Sequence, residues 1–141
     1  MDPFSPHSGR GYGPLVLEHY ENPRNVGELE NPDAVALVES RAHGDRLLLT
    51  LRIADGVISE ARFKAFGCGA AIASSSMATV MLRGCRLEEA DRLTRREVAE
   101  ALGGLPESKL HCSVLAEEAI HAALADYGRR QREKAGAPPA N

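Results

Sequence analysis

The sequence has no excess of positive charge and no long apolar run. Its 17 lysines and arginines are outnumbered by 20 aspartates and glutamates, and the formal net charge is −3. Because the two signs alternate along most of the chain, the broad basic face of a nucleic-acid-binding protein is missing. No run approaches the roughly 18 apolar residues of a membrane span, and the first residues lack the apolar stretch of a signal peptide. We therefore expect a cytoplasmic protein whose partners are neither nucleic acid nor membrane.

Cysteine is scarce as well. The chain has 3 cysteines, an odd count, and no two of them follow the short Cys-x-x-Cys spacing of a zinc finger. Without a secretory signal, this favours reduced thiols that serve metal or sulfur chemistry over a disulfide framework. A length of 141 residues fits one domain with a single core. We expect that domain at residues 14–130, with a flexible N-terminal segment at 1–13 and a flexible tail at 131–141.

Apolar alternation and turn residues predict three strands in the first half of the chain. A short helix is predicted first, from Pro14 to about Tyr20, because proline suits a first helical turn. Asp55-Gly56 is typical of a hairpin turn, so the second and third strands are expected to pair antiparallel. The strands are predicted at residues 35–39, 46–54 and 57–66.

Helices are predicted to follow the strands. Small residues from Ala70 to Arg83 suit a nearly buried helix that lies close to a sheet. Two short helices are predicted at residues 87–93 and 94–102, and a long amphipathic helix begins at Cys112. Strands first and helices after predict an α+β fold, a small three-stranded antiparallel sheet with helices packed on one face. The long helix is expected to face inward at Leu115, Ala119, Ala122, Ala123 and Tyr127.

Five side chains with metal-binding atoms lie at the edges of these predicted elements. Cys68 and Cys112 each stand at the start of a helix, where the helix dipole favours thiolate over thiol. His111 precedes Cys112, while His43 and Asp45 share the turn before the second strand. Thiolates, imidazoles and carboxylates are ligands of zinc and iron. If the three edges meet at one end of the sheet, these donors form a metal site in which the carboxylate is the labile position.

Each of these residues also has a purely structural interpretation. Cys68 can be a small core residue, and His111 a capping or surface imidazole. His43 and Asp45 can be ordinary turn residues. Cys85 follows a helix end, away from the three edges, and is expected to take no part. The remaining histidines, His7, His19 and His121, have no thiols near them in the sequence and are expected to be structural.

Three stretches of the chain carry a family resemblance. They are His19–Gly27, Ala61–Lys64 with Phe66–Ser76, and Lys109–Ile120, within a match from about Tyr12 to Tyr127. They resemble the U-type iron–sulfur cluster assembly scaffolds, the family of the Isc scaffold and of the N-terminal domain of the nitrogen-fixation scaffold. Such long strings are far more specific than a pattern of two cysteines.

The resemblance implies a scaffold and not an enzyme. Such a protein accepts sulfur as persulfide from a cysteine desulfurase, binds iron, assembles a labile cluster of the 2Fe–2S type and passes it to apo acceptor proteins. Ferredoxin and frataxin-like partners are implied as well. By the resemblance, Cys68 and Cys112 are ligands, and Cys112 is also the persulfide acceptor. Asp45 keeps the cluster labile, and His111 is a further ligand. The same site in this family also holds zinc.

The chain departs from this family at two places. Where the family has Ala-Cys-Gly-Asp, this chain has Ala42-His43-Gly44-Asp45, so an imidazole replaces one thiolate. Histidine ligates iron and raises a cluster's reduction potential. Two interpretations therefore stay open: an altered but competent cluster site with His43 as a ligand, or a degenerate site that binds only zinc. Residues 105–109 are Leu-Pro-Glu-Ser-Lys instead of the chaperone-binding Leu-Pro-Pro-Val-Lys, which weakens the case for a dedicated Hsp70 partner.

Three functions are compatible with these residues. The first is an iron–sulfur scaffold with a histidine-modified ligand set. The second is a sulfur-transfer protein in which zinc frees a thiolate of Cys68 or Cys112 to take persulfide. The third, a small zinc hydrolase, ranks last because only Asp45 could serve as its general base.

Overall fold

A three-stranded antiparallel sheet forms the centre of the fold, which we describe from a computed structural model for residues 12–136. The strands lie side by side in chain order as a meander. They are β1 (Ala34–Ser40), β2 (Asp45–Ala54) and β3 (Val57–Phe66). All three predicted strands are confirmed, and the second and third pair antiparallel as expected.

The helices follow one another in the chain order that the sequence predicts. Helix α1 (Pro14–Glu21) precedes the sheet, and a single 3-10 turn at Glu107–Lys109 leads into the last helix. The helices after the sheet are α2 (Gly69–Leu82), α3 (Leu87–Asp91), α4 (Arg95–Ala101) and α5 (Leu110–Lys134). The predicted capping box at the start of α4 is present, since Thr94 and Glu97 exchange side-chain-to-backbone hydrogen bonds of 3.0 and 3.1 Å.

The hairpin between β2 and β3 follows from its turn residues. Asp55 and Gly56 both have positive φ, 55° and 76°. This pair of conformations matches the right-handed twist of the strands, and Asp-Gly suits it because both residues tolerate φ above zero. A bulge at Arg52/Ile53 shifts the register near this turn. The bulge explains why the apolar residues of β3 do not alternate cleanly along its whole length.

The core lies between one face of the sheet and the helices. Leu47, Leu49, Leu51 and Ile53 of β2 are all buried, as their alternation predicts. Helices α2 and α5 cover this face, and ten of the fourteen residues of α2 are buried because their small side chains allow close approach. The opposite face is open, with Leu37 61% exposed. The predicted α+β architecture with helices on one face is confirmed.

Helix α5 differs from the sequence prediction along its inward face. Leu115, Ala119 and Ala123 are buried, but Ala122 is exposed because it lies at the side of the inward stripe. The helix continues past residue 130, where the sequence prediction placed the end of the domain, to Lys134. Ion pairs of 2.9 Å from Arg129 to Glu133 and from Arg130 to Asp126 link successive turns there. Residues 1–11 and 137–141, with most of the predicted flexible ends and His7, lie outside the described residues.

Helix α1 is tied to α2 by a buried histidine. His19 is 6% exposed, and its Nδ1 is hydrogen-bonded to the Ser76 hydroxyl at 2.8 Å. The Ser76 hydroxyl oxygen also accepts a hydrogen bond of 2.8 Å from the Arg24 backbone N–H. His121 is exposed and lies 3.2 Å from the Asp91 carbonyl oxygen. Both histidines therefore have structural contacts, as expected. Within residues 12–136, no helix combines the length and the apolar character needed to cross a membrane.

Candidate metal centre

Three element ends converge at one corner of the sheet. Strand β2 begins at Asp45 and β3 ends at Phe66, and antiparallel pairing puts these ends side by side. Gly67 then leads directly to Cys68, which caps the N-terminus of α2. The first turn of α5, which carries Cys112, packs against the same end of α2. The convergence on which the sequence prediction depended is present.

Four of the five predicted donors meet at this corner. The sulfurs of Cys68 and Cys112 are 3.7 Å apart, and the Cys112 sulfur lies 3.5 Å from His111 Nε2. Asp45 Oδ2 is 3.2 Å from His111 Nε2 and 3.9 Å from the Cys112 sulfur. The ligand atoms of Asp45, His111 and Cys112 all lie within 4.8 Å of one another, and Cys68 joins them on the Cys112 side.

The distances among Asp45, His111 and Cys112 suit a tetrahedral metal ion. With metal–sulfur bonds of about 2.3 Å and metal–nitrogen or metal–oxygen bonds of about 2.0–2.2 Å, such an ion holds its donor atoms roughly 3.3–3.8 Å apart. The three distances among these donors run from 3.2 to 3.9 Å, and the Cys68 sulfur lies 3.7 Å from the Cys112 sulfur. Two thiols, an imidazole and a carboxylate are a donor set for zinc or iron. The residues present therefore fit a metal ion without His43.

Gly67 is required by the position of Asp45. A Cβ on Gly67 would collide with the carboxylate of Asp45 and lie 2.9 Å from its Cγ, with the Ala71 Cβ 3.2 Å away on another side. The carboxylate is 97% buried, so it has little room to move aside. A glycine between β3 and α2 thus lets Asp45 reach the thiols. No pattern in the sequence indicated this role, although the Gly-Cys-Gly string contains the residue.

The Cys68 thiol is poised to ionise. The hydrogen bond from Cys112 lowers the pKa of Cys68 to about 5, and the backbone N–H groups of Ala71 and Ala70 and the charge of Lys109 act in the same direction against burial. Free N–H groups at a helix N-terminus favour an anion, as the sequence predicted for this position. Lys109 was not expected to contribute. Its position shortly before His111 and Cys112 is the sequence feature that could have indicated this contribution.

Cys112 behaves in the opposite way. The hydrogen bond to Cys68 raises the pKa of Cys112, and burial and the nearby charges of Cys68 and Asp45 raise it further. The sequence predicted a lowered thiol pKa at Cys112, and that prediction is wrong. The side chain is 2% exposed and adjoins two anionic groups, so it keeps the proton that the thiol pair shares.

An open cleft of about 530 Å³ leads to these donors. Asp45, Cys68, Lys109 and His111 line it, and the ring of Phe66, 70% exposed, stands at its edge. A metal ion, a small anion or the side chain of another protein can therefore approach the sulfur of Cys68 from solvent. Cys68 and His111 are thus partly exposed, whereas Asp45 and Cys112 lie buried behind them.

His43 lines the cleft but does not join the group of donors. Its ring stacks on the ring of His111, with the centroids 3.5 Å apart and the planes inclined by 13°. Cys85 lies beyond the far end of α2, where its thiol donates a hydrogen bond of 3.0 Å to the Met81 carbonyl oxygen. The structure thus brings together four of the five predicted ligands, and it leaves Cys85 apart as predicted.

Comparison with known proteins agrees with this geometry. Residues 11–134 match the family described as the NifU-like N-terminal domain. The chain belongs to this family. It is 48% identical over 119 residues to the iron–sulfur cluster assembly scaffold protein IscU 1 of Archaeoglobus fulgidus, covering 84% of this chain and 78% of the relative. It is 46% identical over 127 residues to the iron–sulfur cluster assembly scaffold protein IscU of Escherichia coli K12, covering 87% and 98%.

A solved structure of another member of the NifU-like family has the same fold. The N-terminal part of a NifU-like protein from Brucella abortus superposes with a TM-score of 0.69 at 22% identity, covering 85% of this chain and 96% of that one. At this low identity the likeness supports the fold alone. The sequence resemblance to U-type scaffolds is confirmed by the family match and by the relatives at 46–48% identity.

Proposed function

We propose that this protein is an iron–sulfur cluster assembly scaffold. The observation that carries the proposal is the close group of Asp45, His111 and Cys112, with the Cys68 sulfur 3.7 Å from that of Cys112, beside an open cleft that Asp45, Cys68 and His111 line. Four protein ligands are the number that a 2Fe–2S cluster needs, two for each iron. The names of the relatives at 46–48% identity support the same function. The cluster is the cargo of such a protein, and iron and sulfur are its substrates.

Sulfur is proposed to arrive as persulfide from a cysteine desulfurase. A thiolate on the scaffold attacks the outer sulfur of the donor's persulfide, so a new S–S bond forms on the scaffold and the donor leaves as a thiolate. Each transferred sulfur needs two electrons to become sulfide. Oxidation of ferrous to ferric iron supplies one electron per iron, and the remainder calls for an external electron donor. A ferredoxin is the proposed reductant, with a frataxin-like partner and apo acceptor proteins completing the set.

Cys112 is the proposed sulfur acceptor, and metal binding is what would activate it. Without metal, the proton shared by the two thiols stays on Cys112 and the thiolate is on Cys68. Coordination deprotonates a thiol outright, and His111 and Asp45 lie beside the Cys112 sulfur to hold the ion. We therefore expect sulfur transfer to Cys112 to depend on a metal ion such as ferrous iron or zinc.

The sulfur acceptor is identified by mass spectrometry after incubation with a desulfurase and cysteine. The expected result is added sulfur on Cys112 when ferrous iron or zinc is present, and much less when a chelator removes it. Cys85 is the internal control because it is remote from the cleft. Sulfur found mainly on Cys68 or Cys85 in the presence of metal contradicts the assignment.

Anaerobic reconstitution tests the proposed function as a whole. The protein is supplied with ferrous iron, cysteine and a catalytic amount of desulfurase, and absorption and Mössbauer spectra are recorded. A visible absorption band with the Mössbauer spectrum of a 2Fe–2S cluster is expected, and a Cys85→Ser variant is expected to form it equally well. Tight zinc binding with no cluster would instead identify the zinc-bound sulfur-transfer protein. Cytoplasmic location, the absence of enzymatic turnover and the lack of a dedicated Hsp70 partner stay predictions.

A further inference from the structure

His43, which stands where the resemblance implies a cysteine, has a position of its own in the cleft. It lies in the tight turn between β1 and β2, where the backbone N–H groups of His43 and Gly44 both donate to the Ser40 carbonyl oxygen, at 3.1 and 2.7 Å. Gly44 has φ of 75°, which suits glycine and makes the turn compact. His43 itself is exposed, so the turn holds its ring on the solvent side of the site.

The His43 ring lies flat against His111. The two centroids are 3.5 Å apart and the planes are within 13° of parallel. An imidazole binds a metal ion through a nitrogen lone pair, which lies in the plane of the ring. An ion held by Nε2 of His111 therefore lies in the plane of His111 and outside the plane of His43. In this arrangement the two rings cannot ligate the same ion.

The stacked ring acts on His111 instead. Nε2 of His111 is directed at Asp45 Oδ2, 3.2 Å away, and at the Cys112 sulfur, 3.5 Å away. The His111 side chain is still 21% exposed, and the His43 ring covers one of its faces. A flat group packed on that face limits rotation of His111 about χ1 and χ2. Groups that orient a metal ligand in this way raise the affinity of the site for metal.

We propose that His43 is a positioning residue and not a ligand. Its ring holds the His111 imidazole with Nε2 toward Asp45 and Cys112. Compared with the cysteine that the resemblance implies, His43 therefore supplies no ligand of its own and instead fixes the orientation of the ligand His111. This inference rests on the proposed function, because it takes His111 to be a ligand of the bound metal.

The decisive variant is His43→Phe, which keeps a flat ring and removes both nitrogens. It is compared with His43→Ala, which removes the ring, and with His121→Ala, a matched control that removes an exposed histidine far from the cleft. The probe is cobalt(II) alone, added to the full chain without a desulfurase and followed by its ligand-field and thiolate charge-transfer absorption. Circular dichroism confirms that each variant is folded, and His43→Phe decides the test by itself should His43→Ala unfold.

We expect His43→Phe and His121→Ala to bind cobalt within about twofold of the parent, and His43→Ala to bind about tenfold more weakly. In proton NMR of the cobalt-loaded parent, each ligating imidazole gives one strongly shifted exchangeable N–H signal, so one signal is expected. In the metal-free protein, nuclear Overhauser contacts between the ring protons of His43 and His111 are expected.

Two results would overturn the inference: a second shifted imidazole signal that disappears in His43→Phe, or a loss of affinity in His43→Phe as large as in His43→Ala. Both would make His43 a ligand and leave the proposed scaffold function intact. A parent protein that binds no cobalt would instead reject the donor set itself, and with it both proposals.

Discussion

Cys68 and Cys85 flank helix α2 at opposite ends, and their thiols have opposite tendencies. At the N-terminal end, the hydrogen bond from Cys112 lowers the pKa of Cys68 to about 5, and the thiol opens onto the cleft. At the C-terminal end, burial and the charge of Glu89 raise the pKa of Cys85. Of the two cysteines that flank α2, only Cys68 is therefore suited to metal and sulfur chemistry.

Two features account for this difference. The N-terminus of a helix presents free backbone N–H groups, here those of Ala70 and Ala71, whereas the C-terminus presents carbonyl oxygens, here that of Met81. The N-terminal end also meets β2 and α5, which place the Cys112 sulfur 3.7 Å from that of Cys68 and Asp45 Oδ2 3.9 Å from the Cys112 sulfur. The polarity of the helix by itself lowers a thiol pKa only modestly. The N-terminal end of α2 becomes a candidate metal site because β2 and α5 meet it there.

The largest expected contrast is between serine variants at the two ends of α2. Cys68→Ser and Cys112→Ser each remove a proposed ligand, so we expect zinc affinity to fall by at least about 100-fold. Cys85→Ser, the matched control, should leave the affinity within about twofold. Competition with a chromophoric chelator measures all three. An equal loss in Cys85→Ser would mean that the two ends are not distinct.

Gly67→Ala is expected to damage the N-terminal end without removing any ligand. The new Cβ collides with the Asp45 carboxylate, so zinc affinity should fall by about 10- to 100-fold and the free energy of unfolding by about 1–3 kcal/mol. Gly128→Ala is the control, because its Cβ makes only an ordinary contact of 3.6 Å with Arg132 in a helix. That variant should keep its zinc affinity and gain about 0.5–1 kcal/mol of stability. Unchanged zinc binding in Gly67→Ala would show that the Asp45 position is not needed.

Alkylation of the metal-free protein compares the two thiols directly. At pH 6 most of Cys68 is thiolate, since its pKa is about 5, whereas Cys85 is almost entirely protonated because its pKa lies above the usual value. A thiolate of low pKa is intrinsically less nucleophilic, so iodoacetamide should modify Cys68 only about tenfold faster. Peptide mass spectrometry measures both rates.

The pH dependence of the two rates provides the control. From pH 7 to pH 6, the rate at Cys85 should fall about tenfold because its thiolate fraction falls tenfold per pH unit, while the rate at Cys68 should hardly change. The rate at Cys68 should decline only as the pH approaches 5. Parallel pH profiles for the two cysteines would contradict the lowered pKa of Cys68.

The smallest expected effect concerns the lifetime of an assembled cluster. A carboxylate is a weak ligand for a cluster iron and is the natural point of exchange, so Asp45→Ala should slow the decay of cluster absorbance by a few-fold. Asp91→Ala is the control, since Asp91 is an exposed carboxylate in α3, the helix that follows Cys85. Equal or faster decay in Asp45→Ala would remove Asp45 from the cluster site.

Much of the fold was predictable because its determinants are local. The alternation of Leu47, Leu49 and Leu51 fixed the buried face of β2, and Asp55-Gly56 fixed the hairpin, because each acts between residues close in the sequence. The candidate ligands Cys68 and Cys112 were also recognisable, since the type and spacing of the residues around them identify the family. The sequence alone therefore determined the architecture and the family, and it supplied the candidate residues for the site.

Only the tertiary structure decided how the site residues act on one another. Cys68 and Cys112 are 44 positions apart, and Asp45 and Cys112 are 67 apart, so no local pattern shows which thiol keeps the proton they share. The stacking of His43 on His111 and the contact of Gly67 with the Asp45 carboxylate depend in the same way on side-chain directions set by packing between β2, α2 and α5. Residue types limit which chemistry is available, whereas distance, burial and orientation decide which group carries it out, because electrostatic interactions and ligand geometry change over a few ångströms.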